Sequence, residues 1–155
     1  MGQDKKKGQF TFRATAALFA LSAVFELLSI TAEVPLFGEM RGGIGAGIYH
    51  LVYIALFAAL GVGLWSAKRW GCTLVLATTA LYTLDKLQFL LSQQVIEAVI
   101  KAQMSGFESE LQAQGITEAV ILQAIVLMSV VVILCWWGFA LYTYRRRDYF
   151  KSDGT

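Results

Sequence analysis

The chain has 155 residues, 57% hydrophobic and only 15% charged, with a net charge of +2. Soluble domains carry charge on about a quarter of their residues, so this composition excludes an ordinary soluble fold. The near-neutral balance also excludes the basic field of a nucleic-acid-binding protein, and no nucleic acid is expected among the partners.

The apolar residues gather in four blocks, at 14–32, 44–65, 72–91 and 120–142. Crossing about 30 Å of hydrocarbon at about 1.5 Å per residue takes about 20 helical residues, which each block supplies. Unpaired backbone groups are not tolerated in lipid, so each block is predicted to be helical. The expected fold is an all-α integral membrane protein with a single domain spanning 1–155. It is read as an antiparallel four-transmembrane-helix bundle with an amphipathic extracytoplasmic helical segment at 92–117, between helices 3 and 4. The lipid bilayer is the first partner implied.

Lys5, Lys6, Lys7 and Arg13 lead into the first block. That block is too long for a signal-peptide core and carries Glu26, so a cleaved leader is not expected. Lys6 stands where a myristoylation signal needs Ser or Thr. The first loop, 33–43, is short and contains Pro35. The second block opens with Gly43 and Gly47 and closes with Ala59 and Gly63. Together with Ala16 and Ala20 in the first block, these small-residue spacings permit close helix approach, within the chain or in a homo-oligomer.

The turn at 66–71 brings Lys68 and Arg69 between Trp65 and Trp70. The run Gly61-Val62-Gly63-Leu64-Trp65, followed by Lys68-Arg69-Trp70-Gly71, resembles the helix–turn–helix seam of small bacterial four-helix membrane proteins, the DoxX-like family among them. The resemblance covers that seam alone and transfers neither a function nor site residues. In the 92–117 connection, Val95, Val99, Met104, Phe107 and Leu111 recur at helical spacing among polar residues. The spacing predicts that the third helix continues past the membrane and breaks at Ser105-Gly106. A short helix ending at Gly115 should follow, and Thr117 should cap the fourth span. This stripe could cover the mouth of the bundle, lie on lipid or bind a membrane-protein partner.

The fourth block is almost purely apolar over 125–134 and ends in Arg145, Arg146 and Arg147. That cluster anchors topology and is a candidate site for anionic lipid. The basic residues before helix 1, in the 66–71 turn and after helix 4 share one side, and all four tryptophans border it. The positive-inside rule makes that side cytoplasmic, with both termini inside, most naturally in a bacterial inner membrane. Cys72 and Cys135 lie too far apart in sequence for a zinc or redox motif and are read as packing residues.

Ionisable groups within the apolar blocks are the strongest functional signal. Ser22, Glu26, Ser29 and Glu33 fall on one face of helix 1. Helix 2 carries Tyr49, His50 and Tyr53; helix 3 carries Thr78, Tyr82, Asp85, Lys86 and Ser92; helix 4 offers Gln123. Glu26 lies about 18 Å along its helix, and His50 and Asp85 lie about 9 Å from the opposite ends of theirs, so all fall in one layer. The candidate ion- or ligand-binding residues are therefore Glu26, His50, Asp85, Lys86, Tyr53, Tyr82 and Gln123.

A carboxylate beside an imidazole and an amine suits proton relay or ion-coupled transport. No HExxH-like pairing supports a metal, and no cofactor motif is present, so neither is expected. The same groups also serve simply to specify helix pairing. Transport of a proton, ion or small solute is the first functional expectation. The alternatives are a non-catalytic accessory or sensor subunit, using the 92–117 segment as its docking surface, and a membrane enzyme or binding protein for a lipid-soluble ligand. No catalytic residue can be assigned, and the balance leans away from an enzyme.

Overall fold

A computed structural model of the chain describes residues 8–104 and 115–151. The elements in order are α1 (Gln9–Leu28), β1 (Val34–Leu36), β2 (Glu39–Arg41), α2 (Gly43–Trp65), α3 (Arg69–Leu90), α4 (Gln93–Met104), α5 (Glu118–Arg145) and a terminal 3-10 helix (Arg147–Lys151). Three of the helices, α1, α2 and α5, are long and apolar enough to cross a membrane. The count rises to four if α3 and α4, which meet at 84°, form one broken span.

Helix α1 stops at Leu28, so Ser29 and Glu33 leave the face that the sequence assigns to them. The Ser29 N–H closes the helix on the Phe25 carbonyl, and the Ala32 N–H closes a turn on Ser29. The chain then forms a β-hairpin in a segment expected to be only a loop. Val34 pairs with Arg41, Pro35 with Met40 and Leu36 with Glu39. The two residues between the strands, Phe37 and Gly38, have φ of 52° and 85°. Two successive left-handed residues give the turn a twist that matches the strands it joins.

Helices α1 and α2 pack in opposite directions, with Phe19 stacked on Phe57 at 5.9 Å and Glu26 opposite His50. A Cβ at Gly61 would lie 3.3 Å from the Ala16 carbonyl oxygen, so glycine sets how closely these helices approach. The α2–α3 turn is tighter still. A Cβ on Gly63 would fall 2.9 Å from the Gly71 Cα, and one on Gly71 would fall 2.8 Å from the Gly63 carbonyl carbon. Gly63 is thus consumed inside the chain, whereas Gly43 and Gly47 have nothing within 4 Å of a built Cβ.

The end of the molecule that carries the α2–α3 turn is closed by aromatic rings. Phe12 is fully buried and stacks on Tyr149 at 4.6 Å, with Phe150 at 5.0 Å and Tyr142 at 5.5 Å. Tyr149 donates its hydroxyl to the Leu64 carbonyl at 3.4 Å. Burial pushes the Tyr149 phenol above its ordinary pKa, and the nearby Arg13 guanidinium opposes that shift in part.

At the hairpin end, the third helix does not continue straight as expected. It ends at Leu90, and the Ser92 carbonyl accepts the first bond of α4 from the Ile96 N–H at 3.1 Å. The turn is driven by burial: Val95, Ile96, Ile100 and Met104 pack with Phe89, and Met40, Val99, Ile121 and Ile125 lie against them. Of the three roles open to the amphipathic stripe, its described part therefore packs over the chain's own helices. The expected break at Ser105-Gly106, the residues Phe107 and Leu111, and the short helix up to Gly115 lie outside the described residues. Thr117 caps α5 as expected, accepting from the Val120 N–H.

Candidate functional site

The predicted polar residues resolve into two adjoining groups rather than one. The first lies between α1 and α2. His50 is 5% exposed, its Nδ1 lies 2.7 Å from Glu26 Oε2, and its Nε2 lies 3.2 Å from the Ala32 carbonyl oxygen. Because α1 has ended by Ala32, that carbonyl is free to turn toward the ring. A carbonyl only accepts, so Nε2 carries a proton and donates to Ala32. A second proton must then sit between Nδ1 and Oε2. The pair is either imidazolium with carboxylate or imidazole with carboxylic acid, and in both forms it is neutral as a unit.

The second group lies between α2 and α3. Tyr49 donates to Asp85 Oδ2 at 3.0 Å, and Gln88 Nε2 reaches Asp85 Oδ1 at 3.4 Å. The Lys86 ammonium is 3.6 Å from Asp85 Oδ2 and lies over the rings of Tyr82, at 5.4 Å, and Phe89, at 5.9 Å. Asp85 and Lys86 side chains keep only 12% and 26% of their surface exposed, so this is a largely desolvated pair. Tyr82 stacks on Trp136 of α5 at 5.3 Å. Tyr53 lies 4.7 Å from the Tyr49 ring and is 5% exposed.

The two groups touch through neighbours in sequence, the Tyr49 and His50 rings meeting edge to face at 5.7 Å. The expectation that Lys86 joins Glu26 and His50 is corrected: its ion pair is with Asp85, on the α3 side. Gln123 is exposed on α5, and no hydrogen bond among the described residues ties it to either group. Half a turn of helix, about two residues, separates a residue in the core-facing stripe from one on the open face, and the sequence of α5 is too uniformly apolar to fix that rotation.

Tyr49, which the sequence places in the polar layer but not among the candidate residues, and Gln88, which it does not single out, both take part. Tyr49 holds Asp85 directly. Gln88 fastens the hairpin: its Nε2 donates to the Pro35 carbonyl at 2.9 Å, and its Oε1 accepts from the Phe37 N–H at 2.7 Å. Gln88 lies three residues beyond Asp85, so the helical stripe through Asp85 points to it. Nothing in the sequence predicts the hairpin that it grips.

These residues border a groove of about 520 Å³ between α2, α3 and the hairpin. Its flanks are Ile48, Val52, Leu81 and Leu84, each between 42% and 66% exposed, so the groove opens sideways from the helices. Tyr49, Tyr53, Asp85 and Gln88 supply its polar wall, and Phe37 stands at the rim. The geometry offers an apolar channel for a chain or ring and a small set of hydrogen-bonding groups at one position. Among the described residues, no group of three or more His, Cys, Asp or Glu gathers in a way that could hold a metal ion. No protein-family model, curated protein or solved structure matches this chain, so the likeness of its 61–71 seam to DoxX-like proteins stands on those residues alone.

Proposed function

We propose that this chain is a membrane-embedded binding protein for a lipid-soluble small molecule, held in the groove between α2 and α3. In this reading the molecule crosses the bilayer four times, with α3 and α4 together forming the third, bent span, and the four spans make an antiparallel bundle. The Lys- and Arg-rich end faces the cytoplasm of a bacterial cell, by the positive-inside rule. Arg145, Arg146 and Arg147 then face anionic head groups at that surface.

The observation that carries the proposal is the groove itself. Its volume falls within the range of about 300–1,000 Å³ typical of small-molecule sites, and it joins apolar flanks to the Asp85–Tyr49 hydrogen bond. A ligand could enter it from the acyl-chain region without passing through water. Filling the groove provides the test. Protein purified in mild detergent is extracted with organic solvent, and the extract is compared by mass spectrometry with that of Val52→Trp and Leu81→Trp. A non-phospholipid compound enriched in the wild-type extract and depleted in both variants is expected. Identical extracts from all three proteins would refute the proposal.

The Glu26–His50 pair favours a second reading, proton- or ion-coupled transport. A pair that holds one proton between Nδ1 and Oε2 can pass it from one group to the other while staying neutral as a unit, which suits one stage of a proton relay. Its test is pH-driven flux in liposomes, which Glu26→Gln and Asp85→Asn should abolish. Flux unchanged in both would discard it. The accessory-subunit alternative loses support, because the described part of its docking helix, α4, spends its apolar face on the chain itself.

A further inference from the structure

We infer that the molecule taken by this groove is a neutral, lipid-soluble carbonyl compound whose oxygen accepts a hydrogen bond from Tyr53. The inference rests on the groove being a binding site and names the chemistry of what it binds.

Tyr53 lines the groove and is 5% exposed; its buried hydroxyl makes no well-formed hydrogen bond among the described residues, although the Tyr49 hydroxyl and the Asp85 carboxylate lie close enough to act on it. Buried phenol hydroxyls nearly always form such a bond. The Thr78 and Thr143 hydroxyls are also without a partner, but neither lines the groove. Beside Tyr53 the other polar groups are engaged. Tyr49 gives its proton to Asp85 at 3.0 Å, Gln88 divides its amide between the hairpin and Asp85, and Lys86 stands 3.6 Å from the same carboxylate. What the wall still has to offer is therefore a donor, the Tyr53 O–H. A carbonyl oxygen accepts that proton and brings none of its own that would need an acceptor.

Charge restricts the ligand further. Asp85 already has Lys86 as its counter-ion, so a cationic ligand would have to displace an ammonium that also rests on two aromatic rings. A carboxylate ligand would place a second negative charge beside Asp85 in a poorly solvated wall. A neutral head is the one that requires no rearrangement. The flanks Ile48, Val52, Leu81 and Leu84 then hold its hydrocarbon.

The experiment uses the full chain in lipid nanodiscs and three probes of matched length: carbonyl-labelled 2-undecanone, 2-undecanol and undecylamine. Affinity is measured for each, with the infrared carbonyl stretch of the bound ketone as a second readout. Wild-type protein should bind the ketone and lower its stretching frequency. Tyr53→Phe should weaken ketone binding about tenfold and return the stretch toward its value in lipid, the loss expected for one hydrogen bond. Val52→Trp, which blocks the groove and leaves Tyr53 in place, should abolish binding of every probe that uses the site. Thermal unfolding of each variant checks that it is folded. Ketone binding that is sensitive to Val52→Trp but unchanged in Tyr53→Phe would overturn the inference. So would a preference for undecylamine or 2-undecanol, although the groove would then stand as a binding site. If no probe binds in a way that Val52→Trp removes, the binding-site reading itself falls.

Discussion

His50 is held between Glu26 and the end of α1, with Nδ1 2.7 Å from Glu26 Oε2 and Nε2 3.2 Å from the Ala32 carbonyl oxygen. Removing the carboxylate strands a ring that is 95% buried. Glu26→Ala should cost about 1–3 kcal/mol, the penalty for an unsatisfied buried polar group, whereas Glu26→Gln keeps a hydrogen bond and should cost less. Thermal unfolding in detergent separates the two. Equal stability of both variants and the parent would show that the pair holds nothing together.

The hairpin hangs on Gln88 through two bonds, at 2.7 and 2.9 Å. Gln88→Leu keeps the side-chain bulk and loses both. Hydrogen exchange of the Phe37 amide should quicken about tenfold, as expected from the loss of about 1–1.5 kcal/mol of local protection, while amides in the middle of α2 remain as slow as before. An unchanged Phe37 amide would mean that the strand pairing alone holds the hairpin.

Two of these features show what the amino-acid order reveals and what it hides. The apolar blocks mark α1, α2 and α5, because a run of about 20 apolar residues has one economical use in lipid. Glu26, His50 and Asp85 stand out for the same reason, as charges placed where they are costly. The Phe37-Gly38 turn was not legible, since a phenylalanine with φ of 52° contradicts its own local preference and is held there by Gln88 from a distant helix. The 84° corner at Leu91-Ser92 was likewise hidden, because periodicity through Val95 and Val99 reads the same in a straight helix and in a bent one. The placing of Lys86 with Asp85 rather than with Glu26 depends on the rotation of α3, which layer depths do not supply.

The glycines of α2 divide by their surroundings. Gly63→Ala drives a methyl to within 2.9 Å of the Gly71 backbone and should destabilise by about 1–3 kcal/mol. Gly47→Ala meets nothing within 4 Å and exchanges a helix-weakening residue for the best helix former, for a gain of up to about 1 kcal/mol. Midpoints of thermal unfolding should move in opposite directions. A destabilised Gly47→Ala would indicate that this face is covered, as in a complex of two copies.

Alkaline pH should loosen the terminal 3-10 helix. Burial holds the Tyr149 phenol above its ordinary pKa in the folded protein, so its contribution to stability is complete below that ordinary value. As pH rises through the folded pKa the phenolate forms and cannot donate to the Leu64 carbonyl. Limited proteolysis near residue 149 should therefore accelerate above pH 10, and Tyr149→Phe should flatten that dependence. Identical pH profiles for the two proteins would assign the effect to other groups.

Phe12 is covered in part by Tyr149 and Phe150, which follow it far along the chain. During synthesis the first helix must therefore wait, its ring partly uncovered, until Tyr149 and Phe150 have left the ribosome. A product truncated before Tyr149 would expose an aromatic hub that the finished protein conceals. Such a surface would distinguish incomplete chains from complete ones for any protease or chaperone that responds to uncovered rings.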